Sequence, residues 1–307
     1  MEILKTTQLC KYYRKTHALE HVSMTINKGD IYGFVGKNGA GKTTLIRVVT
    51  GVIQPTAGKY ALFGNDNIKT IHQSRARLAA VVETPALYLS LSAYNNLSCQ
   101  CTLHGIRKED HPQVINTLLK KVGLMDLLDN KKKKAKNFSL GMKQRLGIAM
   151  ALISNPEFLV LDEPNNGLDP EGIRDMRELL LKLNKEDGVT ILVSSHILSE
   201  LSKLATRYGF IHQGKLIKEV SAAQLQKELE KKIILTTNDN QKALEVLKDE
   251  KITAKVQQDE TLHLFTQLSI SQIINMMALE KIDIISIVEH QADLEQYFMD
   301  IIGSHHE

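Results

Sequence analysis

Residues 36–43 read Gly36-Lys37-Asn38-Gly39-Ala40-Gly41-Lys42-Thr43, which matches G-x-x-x-x-G-K-[ST] at every fixed position. Glycines at these places let backbone wrap close to phosphate oxygens, so that successive N–H groups and a helix N-terminus converge on one anion. The pattern predicts a nucleoside triphosphate, contacted by Gly36, Asn38, Gly39, Ala40, Gly41 and Thr44. Lys42 is expected to reach the β- and γ-phosphates and Thr43 to offer a hydroxyl to Mg²⁺. Such a loop needs a carboxylate beside it to hold the metal. Phe158-Leu159-Val160-Leu161 is an apolar run that ends in Asp162-Glu163. Asp162 is expected to orient the metal and Glu163 to polarise the attacking water.

The elements that must position these residues follow from periodicity. Ile31–Val35 is a short apolar run before the glycine loop and predicts a buried strand, with a helix over Thr44–Val49. Phe158–Leu161 and Thr190–Val193 read as interior strands, and Arg174–Leu183 between them has helical spacing. Strand-like and helix-like segments alternate to about Gly214, which predicts an α/β domain on a largely parallel sheet. Residues 92–154 hold no clear strand and several helical stretches, including Gln113–Val122 and Met142–Ile153, so a helical subdomain is expected there.

A second unit is expected from Ser221, covering 221–302. Its pattern is strand (Ile233–Thr237), helix (Gln241–Lys248), strand (Ile252–Val256), an Asp259-Glu260 turn and strand (Leu262–Phe265). Helix (Ser271–Leu279), strand (Ile284–Val288) and an amphipathic helix (Ala292–Ile302) complete it. The order β-α-β-β-α-β predicts a small α+β ferredoxin-like accessory domain without a catalytic cluster. Gly303-Ser304-His305-His306-Glu307 reads as a frayed tail.

Bulk properties narrow the function. The chain has 307 residues, 43% hydrophobic and 24% charged, as in ordinary globular proteins. No apolar run approaches the roughly 18 residues of a membrane span, and no signal-peptide core follows Met1, so a cytosolic protein is expected. Three cysteines, Cys10, Cys99 and Cys101, suit a reducing compartment. Cys99-x-Cys101-x-x-His104 invites a metal reading, but on a helix positions 99 and 101 point to different sides, and ordinary packing is expected. Residues 239–307 hold 5 Lys against 13 Asp and Glu, a net of −8, so residues 1–238 carry +12. A basic body suits a polyphosphate ligand, nucleic acid or an anionic membrane. The run Lys131–Lys134 with Lys136 reads as a solvated loop, with anionic lipid headgroups as its functional alternative.

Further segments carry a resemblance. Ser139-Leu140-Gly141-Met142-Lys143-Gln144 resembles the signature of ATP-binding cassette (ABC) ATPases and is placed as in them, between the glycine loop and Asp162. Asn166-Gly167-Leu168-Asp169-Pro170 looks like their D-loop, and His196 in Val193-Ser194-Ser195-His196 falls at their switch histidine. Tyr13 lies where their adenine-stacking aromatic sits. The resemblance covers about residues 1–217. It implies a P-loop NTPase core that binds ATP and Mg²⁺, with Lys42, Glu163 and His196 catalytic. It implies that Ser139, Gly141 and Asp169 of one copy face the nucleotide of another in a homodimer. It also implies a separate integral-membrane permease, reached from the cytoplasmic side, and no specific nucleic acid.

Two positions depart from the family pattern. Leu140 replaces the first of two signature glycines. Glu83, in Val81-Val82-Glu83-Thr84-Pro85, replaces a glutamine that contacts Mg²⁺ and the permease; a carboxylate can still accept but cannot donate as an amide does. Glu83, Pro85-Ala86-Leu87-Tyr88, Leu91–Leu97 and Asp293-Leu294-Glu295-Gln296-Tyr297-Phe298 together resemble the cassettes of bacitracin and lantibiotic self-protection exporters. The alternative reading is a soluble cassette ATPase acting on nucleic acid or ribosomes, and another is an import cassette whose C-terminal domain senses a regulator.

Overall fold

The computed structural model describes residues 1–303 apart from 15, 68, 130–131, 230–231, 251, 257–260, 267 and 291–293. Lys131, the Asp259-Glu260 turn, Ala292, Asp293 and the tail from Ser304 therefore lie outside the described residues. The chain divides into two units, Met1–Ala222 and Ala223–Glu307.

The first unit begins with β1 (Glu2–Tyr13), β2 (Thr16–Val22), β3 (Thr25–Asn27) and β4 (Ile31–Val35), then α1 (Lys42–Val49), β5 (Ala57–Leu62) and α2 (Ile71–Arg75). After β6 (Leu78–Val81) comes a helical stretch of α3 (Ala93–Leu103), α4 (His111–Lys121), α5 (Asp126–Asp129) and α6 (Leu140–Ala151). β7 (Phe158–Asp162), α7 (Pro170–Lys185), β8 (Thr190–Ser195), α8 (Leu198–Leu201), β9 (Arg207–His212) and β10 (Lys215–Ser221) close the unit.

Six strands form one sheet in the order β10-β9-β4-β8-β7-β6, parallel except for the antiparallel β9–β10 pair. β4, β7 and β8 are buried at every residue, which is why they read as unbroken apolar runs rather than alternating ones. Their register aligns Val35 with Ser195 and Asp162 with Ser194. The three strands thus end level, and the residues that follow them share one crevice at the carboxyl edge of the sheet, where open α/β sheets bind ligands.

A separate antiparallel sheet, β2-β1-β3 with β5 also on β1, occupies the N-terminal region. The alternating pattern of the sequence does not foretell it. Register shifts interrupt the pairing of β1 between Thr7 and Tyr12, and its buried apolar residues fall in adjacent pairs, Ile3-Leu4 and Leu9-Cys10, instead of every second position.

The second unit starts with α9 (Ala222–Glu228) at its edge, followed by β11 (Lys232–Thr237), α10 (Asn240–Asp249), β12 (Thr253–Val256) and β13 (Leu262–Phe265). α11 (Ile270–Leu279), β14 (Ile284–His290) and α12 (Leu294–Gly303) complete it. The sheet order is β12-β13-β11-β14, with every pairing antiparallel. This is the split β-α-β arrangement. Ile233 and Leu235 meet Leu262 and Leu264 on the face that packs with Leu247 of α10 and Met277 of α11. Ser269 and Gln272 close a capping box at the start of α11, satisfying two otherwise orphaned N–H groups.

Candidate nucleotide site

β4 delivers the glycine loop and α1 takes it away. Gly36 and Gly41 are glycine for steric reasons: a Cβ on Gly36 would stand 2.6 Å from the Ile211 carbonyl oxygen, and one on Gly41 2.5 Å from that of Ala18. Gly39 and Gly41 also have φ of +81° and +112°, which side chains disfavour. α1 starts at Lys42, two residues before the periodicity predicts, so its orphan N–H groups open onto the loop. Asn38, Gly39 and Ala40 make the turn, closed by the Ala40 N–H donating to the Lys37 carbonyl at 3.1 Å.

Lys42 is only 4% exposed, and its ammonium is fully engaged. Nζ donates to the Gly36 carbonyl at 2.6 Å and to the Lys37 carbonyl at 3.3 Å, and lies 3.0 Å from Glu163 Oε1. Beside it the Thr43 hydroxyl donates to Asp162 Oδ2 at 2.7 Å. Asp162 is buried and its other oxygen accepts from the Ser194 hydroxyl at 2.6 Å. Ser194 in turn accepts the Glu163 backbone N–H at 2.9 Å. His196 Nδ1 lies 2.6 Å from Glu163 Oε2, a hydrogen bond in which the ring N–H is the donor in the tautomer that carries its proton on Nδ1. Glu163 adopts φ +48°, a left-handed conformation that turns its side chain from the strand end toward Lys42 and His196.

Lys42, Thr43, Asp162, Glu163 and His196 are therefore one connected cluster, assembled from the ends of β4, β7 and β8. Ser194 belongs to it and is not among the residues the sequence singles out. Its only sequence signal is its place two residues before His196 on an apolar strand. The donor set beside the loop, a hydroxyl and a carboxylate 2.7 Å apart, is hard oxygen. It fits Mg²⁺, which takes one or two protein oxygens and completes its shell with phosphate and water.

Other expected residues sit differently. Tyr13, 44% exposed, ends β1 with Lys11 Nζ 5.2 Å from its ring centroid, while Tyr12 turns to pair with His17. Glu83 has φ +60° and its carboxylate is paired with Arg47 of α1. The signature helix starts at Leu140 rather than Met142. Ser139 is its N-cap, accepting the Met142 N–H at 3.2 Å, so the hydroxyl serves its own helix in this single chain. Asp169 caps α7 in the same way, accepting the Gly172 N–H at 3.0 Å. Leu140 lies against Gly167 and Leu168 against Gly141, which joins the signature segment to the loop before α7. The cysteines of α3 diverge as the helical spacing demands, Cys101 buried and Cys99 half-buried.

A glycine loop feeding α1, a strand-end carboxylate pair and a histidine after the next strand define a P-loop nucleotide hydrolase of the cassette type. Comparison with known proteins places it within that class. The ABC transporter family matches residues 19–166. The bacitracin transport ATP-binding protein BcrA of Bacillus licheniformis is 41% identical over 305 residues, covering 98% of this chain and 97% of the relative. The lantibiotic transport ATP-binding protein SrtF of Streptococcus pyogenes is 43% identical over 217 residues, 71% of this chain and 90% of the relative. Among solved structures, cbiO1 of Clostridium perfringens, part of the ABC transporter complex cbiONQ, aligns with a TM-score of 0.67 at 29% identity, covering 74% of this chain and 91% of that one. The chain belongs to the ABC transporter ATP-binding proteins. It is an ATPase of that family with the mixed α/β cassette fold, and its relatives do not favour a role without transport.

Proposed function

We propose that this chain is the energy-coupling subunit of a bacterial exporter of bacitracin- or lantibiotic-type peptides, hydrolysing ATP as a pair of cassettes beneath a separate membrane permease. The observation that carries the ATP-driven part is the cluster of Lys42, Thr43, Asp162, Glu163 and His196 at the level ends of three parallel strands. The cargo and permease follow from the near full-length similarity to BcrA and from the similarity to SrtF.

In this reading residues 1–217 are the nucleotide-binding domain, with 92–154 its helical subdomain, and 221–302 are an accessory domain. The Gly36–Thr44 backbone and Lys42 hold the phosphates, and Tyr13 stacks on adenine. Glu163 polarises the attacking water, while His196 orients that carboxylate and reaches the γ-phosphate. Thr43 and Asp162 would hold Mg²⁺, with Glu83 as an outer acceptor, and the ion would offset charge between the β- and γ-phosphates. Ser139, Gly141 and Asp169 complete the site of the opposite copy. ATP then acts as the adhesive between cassettes, and its hydrolysis frees them.

A groove of about 500 Å³ lies between the edge strand β6, the Thr84–Ala86 turn and helices α3 and α6, and it suits a short cytoplasmic helix of the permease. Among the described residues no helix is long and apolar enough to cross a membrane; the permease and a position on the cytoplasmic face rest on the similarity to transport ATP-binding proteins. The test is the mass of Glu163→Gln with Mg-ATP against wild type, by light scattering on a sizing column. A dimer trapped only with ATP supports the clamp and the role of Glu163. A nucleotide-bound monomer at all concentrations refutes autonomous pairing.

A further inference from the structure

The geometry points to an anionic phospholipid surface as the partner of a basic and apolar patch on the helical subdomain, formed by Lys132, Lys134 and Lys136 beside Tyr88 and Leu89. Two sequence-distant segments are stitched together there by backbone. The Lys136 N–H donates to the Leu89 carbonyl at 2.9 Å, the Ala135 N–H to that of Leu91 at 2.8 Å, and Ser92 bridges Lys134. Buried Asn96 pins the backbone of Tyr88 from both sides, accepting its N–H at 2.8 Å and donating to its carbonyl at 3.1 Å. With the main chain held, Tyr88 and Leu89 are nevertheless 54% and 52% exposed.

The lysines on the neighbouring segment are equally unspent. Lys132, Lys134 and Lys136 are exposed, and no carboxylate among the described residues pairs with them. Lys133 differs, its Nζ lying 5.8 Å from the Phe138 ring centroid. Exposed lysines on a segment that backbone bonds hold against Leu89 and Leu91, near exposed Tyr88 and Leu89, match a layer of phosphate headgroups over acyl chains: the ammonium groups meet phosphate, and Tyr88 and Leu89 enter the interface. The patch is of one sign, the complement of a uniformly anionic headgroup layer. Contact with the bilayer here deepens the exporter reading, on which it rests, by fixing the cassette's tilt against the membrane independently of the permease.

The test is sedimentation of the full chain with vesicles of phosphatidylglycerol in phosphatidylcholine, against phosphatidylcholine alone, without nucleotide or permease. We expect binding only to the anionic vesicles, weakened by salt. The triple change Lys132→Ala, Lys134→Ala, Lys136→Ala should lower the partition coefficient by about two orders of magnitude, since each basic residue contributes roughly fivefold. Tyr88→Ser with Leu89→Ser should weaken binding while leaving its salt dependence. A control triple at Lys182, Lys185 and Lys203 should reduce it far less. Equal losses in both lysine triples, equal binding to both vesicles, or no binding overturns the proposal. A patch variant that binds vesicles normally but fails to assemble with the permease also overturns it, in favour of a protein contact. Because ATP-driven pairing of Glu163→Gln is measured without lipid, failure here leaves that result intact.

Discussion

Glu163 and Lys42 hold each other: Oε1 lies 3.0 Å from Nζ, in a site where Lys42 is almost wholly buried. The ammonium, which in the proposed function binds phosphate, is already satisfied by a carboxylate and two loop carbonyls. In that reading, nucleotide binding exchanges the carboxylate for phosphate oxygens. Glu163→Gln removes the competing charge, so a non-hydrolysable ATP analogue should bind it more tightly by about 1 kcal/mol, roughly fivefold in Kd. Titration calorimetry decides this, and equal or weaker binding contradicts the exchange. Phosphate release should fall by about 10²–10⁴-fold in the same variant.

Ser194 links the Asp162 carboxylate to the backbone of Glu163. It is fully buried, donating to Asp162 and accepting from the Glu163 backbone. Ser194→Ala leaves that N–H without a partner, at a cost of about 1–3 kcal/mol in stability. It also frees Asp162 to rotate, so the concentration of Mg²⁺ needed for half-maximal ATPase should rise. A stability loss with an unchanged Mg²⁺ requirement would show that Ser194 only supports packing.

Gly147 of α6 has no room for a methyl group. A Cβ there would stand 2.5 Å from Pro85 Cβ, two residues beyond Glu83. Gly147→Ala must push the signature helix away from the Thr84–Ala86 turn, with a stability cost of about 1–3 kcal/mol. ATP binding by the separate chain should be little changed, whereas stimulation of its ATPase by the permease should drop. Unaltered stimulation in reconstituted vesicles argues against this contact as part of the coupling.

Alkaline sensitivity should reside in the first unit. Burial pushes the Tyr208 phenol up to about 12 from an ordinary value of 10.0, and burial with the neighbouring Glu219 carboxylate raises Tyr32 as well. A raised folded-state pKa means that the stabilising contribution is complete below the unfolded value and declines as pH climbs toward the folded one. Urea midpoints should therefore fall between pH 10 and about 12. Tyr208→Phe loses a hydrogen bond to the Leu201 carbonyl and should be weaker at neutral pH, but its midpoint should decline less steeply in that window.

Much of the cluster is legible in the sequence because its chemistry is tied to local geometry. A glycine loop between a strand and a helix, and two carboxylates closing an apolar strand, are patterns that few other roles require. Ser194 and Arg47 are not legible in this way. A serine late in a strand and an arginine in a helix's last turn are common, and only the pairing of β7 with β8, or the curl of residues 82–85, brings them to Asp162 and Glu83. The N-terminal antiparallel sheet is hidden for another reason: bulges in β1 break the period of two that would announce it. In the second unit short apolar runs rich in Ile and Leu, such as Ile233-Ile234-Leu235, separated by helical stretches make the sheet readable strand by strand.

Arg47 and Lys42 sit at opposite ends of one short helix. α1 receives the glycine loop at Lys42, and five residues later, about 7.5 Å along its axis, Arg47 grips Glu83 beside the groove under β6. A helix of this length is stiff along its axis, so the glycine loop and the Arg47–Glu83 pair are held at a fixed separation. The residue-83 loop is thereby tied, through one salt bridge, to the same helix that carries Lys42.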